Sequence, residues 1–346
     1  MSWQNILANS ITSAAGVNKR FPAAKSIGID ETARRYPMRI NPYYWGLIKD
    51  IGDPLWRQAV PSNLELADEV CVVDPLAEES LSPVPNLVHK YPDRVLFLVN
   101  NQCAMYCRFC TRKRKVGTSR MPISDASINA GLDYIRRNPA IREVLLSGGD
   151  PFLLSDERLD WILSEIRAIK SVDIIRIGTR TPCVLPMRIT TKLTKMLRRY
   201  HPLYINTHFN HPAEITPQAA QACGRLADAG IPLGCQTVLL RGVNDDPQVI
   251  RDLMRALLKI RVKPYYLFQG DLSRGTNHFR TPIDAGLAIM KSLIGHVSGM
   301  AIPTFALDAP DGGGKLPMLP DYIISHKDEL VFENYCGKVC CYPDVI

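Results

Sequence analysis

The sequence predicts an α/β protein built on a parallel sheet that curves into an incomplete (β/α) barrel. Three observations point there. Seven short β-rich runs recur along the chain, segments of helical length separate them, and the runs end in polar or glycine-containing residues. The runs are VLFLVNN (95–101), EVLLSGG (143–149), DIIRIGT (173–179), LYINTHF (203–209), PLGCQTVLL (232–240), PYYLFQG (264–270) and GMAIPTFAL (299–307). Between them, stretches such as DERLDWILSEIRAI and PQVIRDLMRALLKI space their apolar residues near the helical period. Strands alternating with helices make βαβ units and hence a parallel sheet. Ligands bind at the C-terminal ends of such strands. The residues at those ends, among them Asn101, 147–150, 179–180, His208, 269–271 and Asp308, are therefore where chemistry is expected.

Ahead of that rhythm, residues 1–85 are irregular and punctuated by proline, with helical patches around 42–49 and 64–70. SPVPNLVHKYPDR (82–94) reads as a linker, because its prolines cannot continue a helix or a central strand. The expected organisation is an N-terminal, mostly helical segment (1–85), the barrel (86–307) and a C-terminal segment (308–346) that helps close it.

With 46% hydrophobic and 22% charged residues, the 346-residue chain has the composition of a globular protein with a sizeable core. Lys and Arg outnumber Asp and Glu, 42 to 34, a formal net charge of +8. That excess suits anionic ligands or nucleic acid without choosing among them. No apolar run reaches the roughly 18–20 residues of a membrane span. The opening MSWQNILANSITSAAG has neither a basic n-region nor a continuous apolar h-region. A cytoplasmic protein is expected, and there ten cysteines argue for metal or reactive thiols rather than disulfides.

Three of those cysteines stand together in NNQCAMYCRFCTRKRKVG (101–118): Cys103, Cys107 and Cys110, spaced C-x3-C-x2-C directly after the first barrel strand. Positions i, i+4 and i+7 could lie on one buried helical face. A structural zinc site wants a fourth ligand, for which Cys71 or His89 could serve, but no second cysteine pair is evident. The preferred reading makes the missing fourth ligand the point: a [4Fe–4S] cluster held by three thiolates leaves one iron open.

The stretch resembles the signature of the radical S-adenosylmethionine (SAM) enzymes, C-x3-C-x-aromatic-C, with Phe109 as the aromatic residue. The resemblance implies that the open iron chelates SAM and that an electron cleaves it to a 5′-deoxyadenosyl radical. LLSGGDPF (145–152) is by itself a Gly-Gly turn between strand and helix. By the resemblance it is the segment that holds the methionyl amino group, through Ser147, Gly148, Gly149 and Asp150.

DAPDGGGKLP (308–317) fails as a phosphate loop, since Ala309 stands where a Walker A glycine belongs and Leu316 where Ser or Thr follows the lysine. A surface turn remains open for it, as does a Schiff-base lysine with glycines admitting a bulky cofactor such as pyridoxal 5′-phosphate (PLP). From about residue 35 onward the chain resembles the lysine 2,3-aminomutase family, radical SAM enzymes that also carry PLP. The matches include SPVPNLVHKYPDRVLFLVNNQCAMYCRFCTRKR, IRIGTR, NTHFN, QTVLLRGVND, KIRVKPYYLFQGDLSRGTNHFRTP and PTFALDAPDGGGK. The resemblance implies six barrel strands open on one side, Lys315 as the PLP lysine and Arg94 on the PLP phosphate. It also puts His208 and Gln236 in the cofactor pocket.

Three further positions bear on the substrate by the same resemblance. Arg112 is expected to fork the amino acid's α-carboxylate. Its neighbours Lys113, Arg114 and Lys115 read as a solvated basic loop. Asp271 and Asp308 would face a distal ammonium, because two carboxylates in one pocket repel unless a cation sits between them. That favours lysine, with ornithine or arginine open, over the glutamate-acting relatives. The implied reaction moves the amino group of L-lysine from C2 to C3 through a PLP external aldimine and an adenosyl radical, giving β-lysine. The implied partner is an electron donor such as flavodoxin or ferredoxin, and self-association is left open. A relative that acts on lysine destined for elongation factor P, and a basic RNA-binding or RNA-modifying protein, are the competing readings. Phe268 and Gly270 replace a tyrosine and a cysteine common in relatives. Cys336, Cys340 and Cys341 are read as ordinary thiols.

Overall fold

The computed structural model of the protein describes residues 2–26, 28–327 and 329–344. Its main sheet follows chain order from edge to edge. The first edge strand, β1 (Leu87–Tyr91), lies antiparallel to β2 (Arg94–Asn100). Parallel neighbours follow: β3 (Glu143–Gly148), β4 (Ile174–Gly178), β5 (Leu203–Thr207), β6 (Leu233–Val238), β7 (Lys263–Phe268) and β8 (Thr304–Ala309). The far edge, β9 (Gly314–Pro317), folds back antiparallel on β8. All seven β-rich runs are strands, and the sheet is the expected partial barrel with one parallel strand more than the family resemblance implies. Its two edges approach each other, for the Lys315 backbone N–H donates to the Tyr91 hydroxyl at 3.2 Å.

Residues 82–94 are not the linker that their prolines suggested. Leu87–Tyr91 pairs with β2 through a tight turn in which Tyr91 opposes Arg94. Pro83 and Pro85 precede β1 and Pro92 lies in the turn, positions where a missing N–H interrupts no ladder. The expected helix at 64–70 is likewise absent apart from a single 3-10 turn at Asn63–Glu65.

Each parallel strand alternates, and the alternation sorts the two faces of the barrel. Val144, Leu146, Ile175, Ile177, Leu203, Ile205, Cys235, Leu267 and Phe305 are fully buried on the outer face. Among the described residues, seven α-helices follow the cysteine loop: α6 (Asp125–Arg137), α7 (Asp156–Arg167), α8 (Thr181–Val184), α9 (Thr191–Leu197), α10 (Pro217–Asp228), α11 (Pro247–Lys259) and α12 (Ile283–Leu293), numbered after five N-terminal ones. Their apolar stripes cover that face, as with Leu159, Ile162, Leu163 and Ile166 on α7, or Ile250, Leu253, Met254 and Leu257 on α11. Half-buried residues on the other face, including Leu145, Ser147, Arg176, Gln236, Tyr266 and Phe268, line a cavity of about 450 Å³. The barrel interior is a binding space.

The N-terminal helices α1 (Trp3–Ala8), α2 (Ala14–Asn18), α3 (Ile29–Arg35), α4 (Pro42–Leu47) and α5 (Pro54–Ala59) are short. Their Ile29, Tyr44, Leu55 and Trp56 belong to the same core as the barrel strands. Beyond β9, the strands β10 (Ile323–His326), β11 (Glu329–Glu333) and β12 (Val339–Pro343) form a separate antiparallel sheet. No helix among the described residues is long and apolar enough to cross a membrane.

Candidate active site

The chain leaves β2 into a loop of turns, not a helix, and Cys103, Cys107 and Cys110 all line the barrel cavity. The N-terminal segment holds this loop in place. Arg39 donates to the Cys103 carbonyl at 3.2 Å, Asn41 to the Ala104 carbonyl at 3.1 Å, and the Arg108 N–H to the Gln58 carbonyl at 2.9 Å. Beneath the loop lies a buried triad. Glu65 accepts from Arg108 at 2.6 and 2.9 Å and from Lys113 at 2.6 Å. Burial pushes the Glu65 carboxyl up, but the two cations outweigh it and hold it below its usual range.

Lys113, Arg114 and Lys115 are thus not a solvated loop. Lys113 is buried in the triad, Arg114 pairs with Asp74 and Glu79, and Lys115 pairs with Glu79. Sequence shows charge but not its partner, and these partners lie 35 to 48 residues upstream.

The end of β3 is pressed against the cysteine loop. At Gly148, with φ of 132°, an added Cβ would lie 2.1 Å from the Asn100 carbonyl oxygen. At Gly149 it would lie 2.4 Å from that of Gln102. Glycine is required there for backbone contact, beyond the needs of a turn. Asp150, which also lines the cavity, accepts from Thr179 Oγ1 at 2.7 Å and from the N–H groups of Arg180 and Phe152 at 2.9 and 3.0 Å. Three of a carboxylate's roughly four acceptor positions are therefore taken within the protein.

Arg180 is a residue whose role the sequence did not disclose. Its guanidinium donates to Cys107 Sγ at 2.7 Å, to Gln58 Oε1 at 2.6 Å and to the fully buried Glu214 at 2.7 Å. It also lies 5.0 Å from the centre of the Phe109 ring. Phe109 stacks in turn on His208 at 5.3 Å. Burial, aided by the Arg180 charge, pulls the His208 imidazole down to about 3, so it is neutral. Its Nε2 is 2.9 Å from Asn210 Oδ1, which also accepts the Val238 N–H.

At the other end of the cavity, β8 and β9 place Asp308 directly opposite Lys315. Lys315 Nζ is 3.0 Å from both Asp308 oxygens and 5.0 Å from the Phe268 ring centre. Lys90 approaches Asp308 at 3.9 Å. Burial, then the charge of Asp308, raises the Asp271 carboxyl to about 7, with Lys315 and Lys90 opposing. Arg94 stacks on Tyr91 at 3.9 Å and pairs with Asp93. Gln236 lines the wall on β6.

Arg112 is engaged in the described structure. Glu78 takes its Nε and Nη2 edge at 2.5 to 2.9 Å, while Nη1 has only long contacts to Ser147 Oγ and the Gly148 carbonyl, 3.4 and 3.5 Å. Glu78 was not foreseen. It sits in an irregular acidic stretch whose pairing is invisible without the fold.

The donor set suits the expected groups. The three thiols border one cavity. No three Cys, His, Asp or Glu among the described residues converge on a single ion, whereas a four-iron cluster takes one thiolate per iron. Arg176, Arg180, Asn206 and Thr207 line the same space, and each has a buried polar atom without a protein partner. Such atoms call for a polar ligand. A lysine amine at the mouth and the cation of Arg94 suit an aldehyde cofactor with a phosphate.

A family model described as the Radical SAM superfamily matches residues 97–254, and one described as Lysine-2,3-aminomutase matches residues 290–345. The L-lysine 2,3-aminomutase of Methanococcus maripaludis is 51% identical, covering 99% of this chain and 81% of its own length. That of Clostridium subterminale is 48% identical over 99% and 84%. The glutamate 2,3-aminomutase of Clostridioides difficile is 47% identical over 99% and 82%. The chain therefore belongs to the lysine 2,3-aminomutase family, radical SAM isomerases whose cofactors are a [4Fe–4S] cluster, SAM and PLP.

Proposed function

We propose that this protein moves the α-amino group of L-lysine from C2 to C3, giving β-lysine. The observation that carries the choice of substrate is the Asp271, Asp308 and Lys315 cluster. Lys315 is the nearer of two cations beside Asp308, at 3.0 Å against 3.9 Å for Lys90. Chemistry that engages its amine elsewhere leaves two carboxylates with Lys90 alone to balance them, and a substrate ammonium restores the balance. A substrate with a second carboxylate would add a like charge beside Asp271 and Asp308.

When bound, the cluster and SAM supply one-electron, hydrogen-abstracting chemistry, and PLP supplies a carbonyl for amines and an electron sink. Cys103, Cys107 and Cys110 would hold the cluster, with Arg180 donating to the Cys107 sulfur and Phe109 wedged against His208. Ser147, Gly148, Gly149 and Asp150 would border SAM. Lys315 would carry PLP and Arg94 its phosphate, with His208 and Gln236 along the wall. Neutral His208 can accept or donate a hydrogen bond without adding charge. Arg112, held on one edge by Glu78, presents its remaining N–H groups to the α-carboxylate. The protein's work is orientation and exclusion of water.

In this division residues 1–85 brace the cysteine loop, 86–307 form the barrel, and 308–346 bring Lys315 to the open side. The test is a substrate panel. Anaerobically reconstituted protein should turn over lysine in preference to ornithine, arginine and glutamate. Asp308→Asn should reduce lysine turnover far more than SAM cleavage, and preference for glutamate in the wild type refutes the assignment.

A further inference from the structure

A second concavity, of about 440 Å³, adjoins the cysteine loop and shares no lining residue with the active-site cavity. Arg34, Arg35, Arg120 and Arg274 rim it, all exposed, and no carboxylate lines it. None of the four arginines has an ion-pair partner among the described residues, unlike Arg114 beside them. The floor is formed by Lys113 and Ser273. The Lys113 N–H donates to the Cys110 carbonyl at 3.2 Å, and Ser273 Oγ donates to the Thr111 carbonyl at 3.3 Å. This floor is thus the back wall of the cysteine loop.

An apolar strip borders the arginines. Val70, Val72 and Val73 are 63, 49 and 47% exposed, and the Arg274 N–H donates to the Val72 carbonyl at 2.9 Å, fixing the strip to the rim. Arginines around exposed apolar residues are the composition of a protein-docking patch, more than of a site for a small anion. Glu69 and Asp74 flank the strip and Asp74 is taken up by Arg114, so the four arginines left without a carboxylate partner select an acidic partner. A partner here would rest on Lys113, whose backbone is hydrogen-bonded to that of Cys110.

We propose that this concavity docks an acidic one-electron carrier protein that reduces the cluster through the wall formed by Lys113 and Cys110. The proposal rests on the reading of the three cysteines as cluster ligands. In the transfer the carrier loses one electron and the cluster gains it, passing from the 2+ to the 1+ state, with no bond formed or broken.

The test compares wild-type holoenzyme with Arg34→Glu/Arg274→Glu and the milder Arg34→Gln/Arg274→Gln, using chemically reduced flavodoxin and, separately, dithionite. The carrier's affinity and the rate of cluster reduction, followed by EPR, are both read. The expected result is at least a tenfold loss in affinity and in second-order rate for the charge-reversed variant. A smaller loss is expected for the neutral one, along with a steep salt dependence that the variants lack and unchanged reduction by dithionite. Flavodoxin binding and reduction at wild-type rates in both variants overturns the docking site while leaving the cluster reading intact. Failure of dithionite to produce a reduced cluster in the wild type overturns both. An RNA oligonucleotide that binds this surface more tightly than flavodoxin, and is lost in the same variants, overturns it in favour of nucleic acid.

Discussion

Lys315 Nζ lies 3.0 Å from each carboxylate oxygen of Asp308, its register partner across β8 and β9. In the function proposed above, the pair keeps the PLP lysine and a substrate-facing carboxylate in one contact, so engaging the first frees the second. Asp271 shares that field, and its carboxyl is held near 7 by burial and by Asp308.

The raised Asp271 carboxyl gives a pH signature. A substrate ammonium needs the carboxylate ionised, so KM for lysine should rise as pH falls below about 7. Asp308→Asn removes a charge that raises Asp271, and the midpoint should move to lower pH. Initial-rate kinetics across pH 6 to 9 check this, and a midpoint indifferent to Asp308 contradicts it.

The same shift has a cost in stability. Protonated in the fold to about 7 but normally ionised above about 3.9, Asp271 makes folding less favourable as pH rises between those values. Asp271→Asn should therefore raise Tm at pH 8, with the gain vanishing towards pH 4, while lysine turnover falls. Thermal scans at the two pH values decide it.

Glu78→Gln removes the charged partner that fixes Arg112. Loss of a charge-assisted, bidentate contact is worth about 1.5–3 kcal/mol. KM for lysine should rise by about tenfold or more with kcat changed less. A fall in KM would show Glu78 competing with substrate instead of orienting its receptor.

Arg180→Lys withdraws the guanidinium from the Cys107 sulfur. Hydrogen bonds to ligand sulfurs raise a cluster's potential. An EPR-monitored redox titration should find the variant harder to reduce, by about tenfold in the equilibrium constant, or ~59 mV for one electron. An unchanged potential contradicts a tuning role.

Glu65→Gln leaves Arg108 and Lys113 buried without their counter-charge. Breaking such a pair costs about 3–5 kcal/mol. Tm should drop by several degrees and cluster incorporation should fall, because the triad lies under the cysteine loop. Normal iron content in the folded variant would limit the triad to stability.

What the sequence disclosed follows from what kind of signal carries each feature. The seven strands and their helices were legible because period and polarity are local, and the residues named from the family resemblance, from Arg94 to Lys315, line one cavity, whereas the strand-end residues Asn101, Gln269 and Gly270 do not. β1 was missed because proline marks a strand's start and a hairpin turn as readily as a linker. Glu78, Arg180 and the Glu65 triad were missed because each is defined by a partner between 34 and 73 residues away. No spacing rule announces them. Lys113, Arg114 and Lys115 were legible as charge, but their pairing with Glu65, Asp74 and Glu79 was decided by the fold.

The most direct test of the account is product analysis by NMR after anaerobic incubation of L-lysine with protein shown to contain iron, sulfide and PLP, together with SAM and a reductant. The account predicts a new amino acid with its nitrogen on C3 and none on C2. Lysine recovered unchanged from fully loaded protein would contradict it.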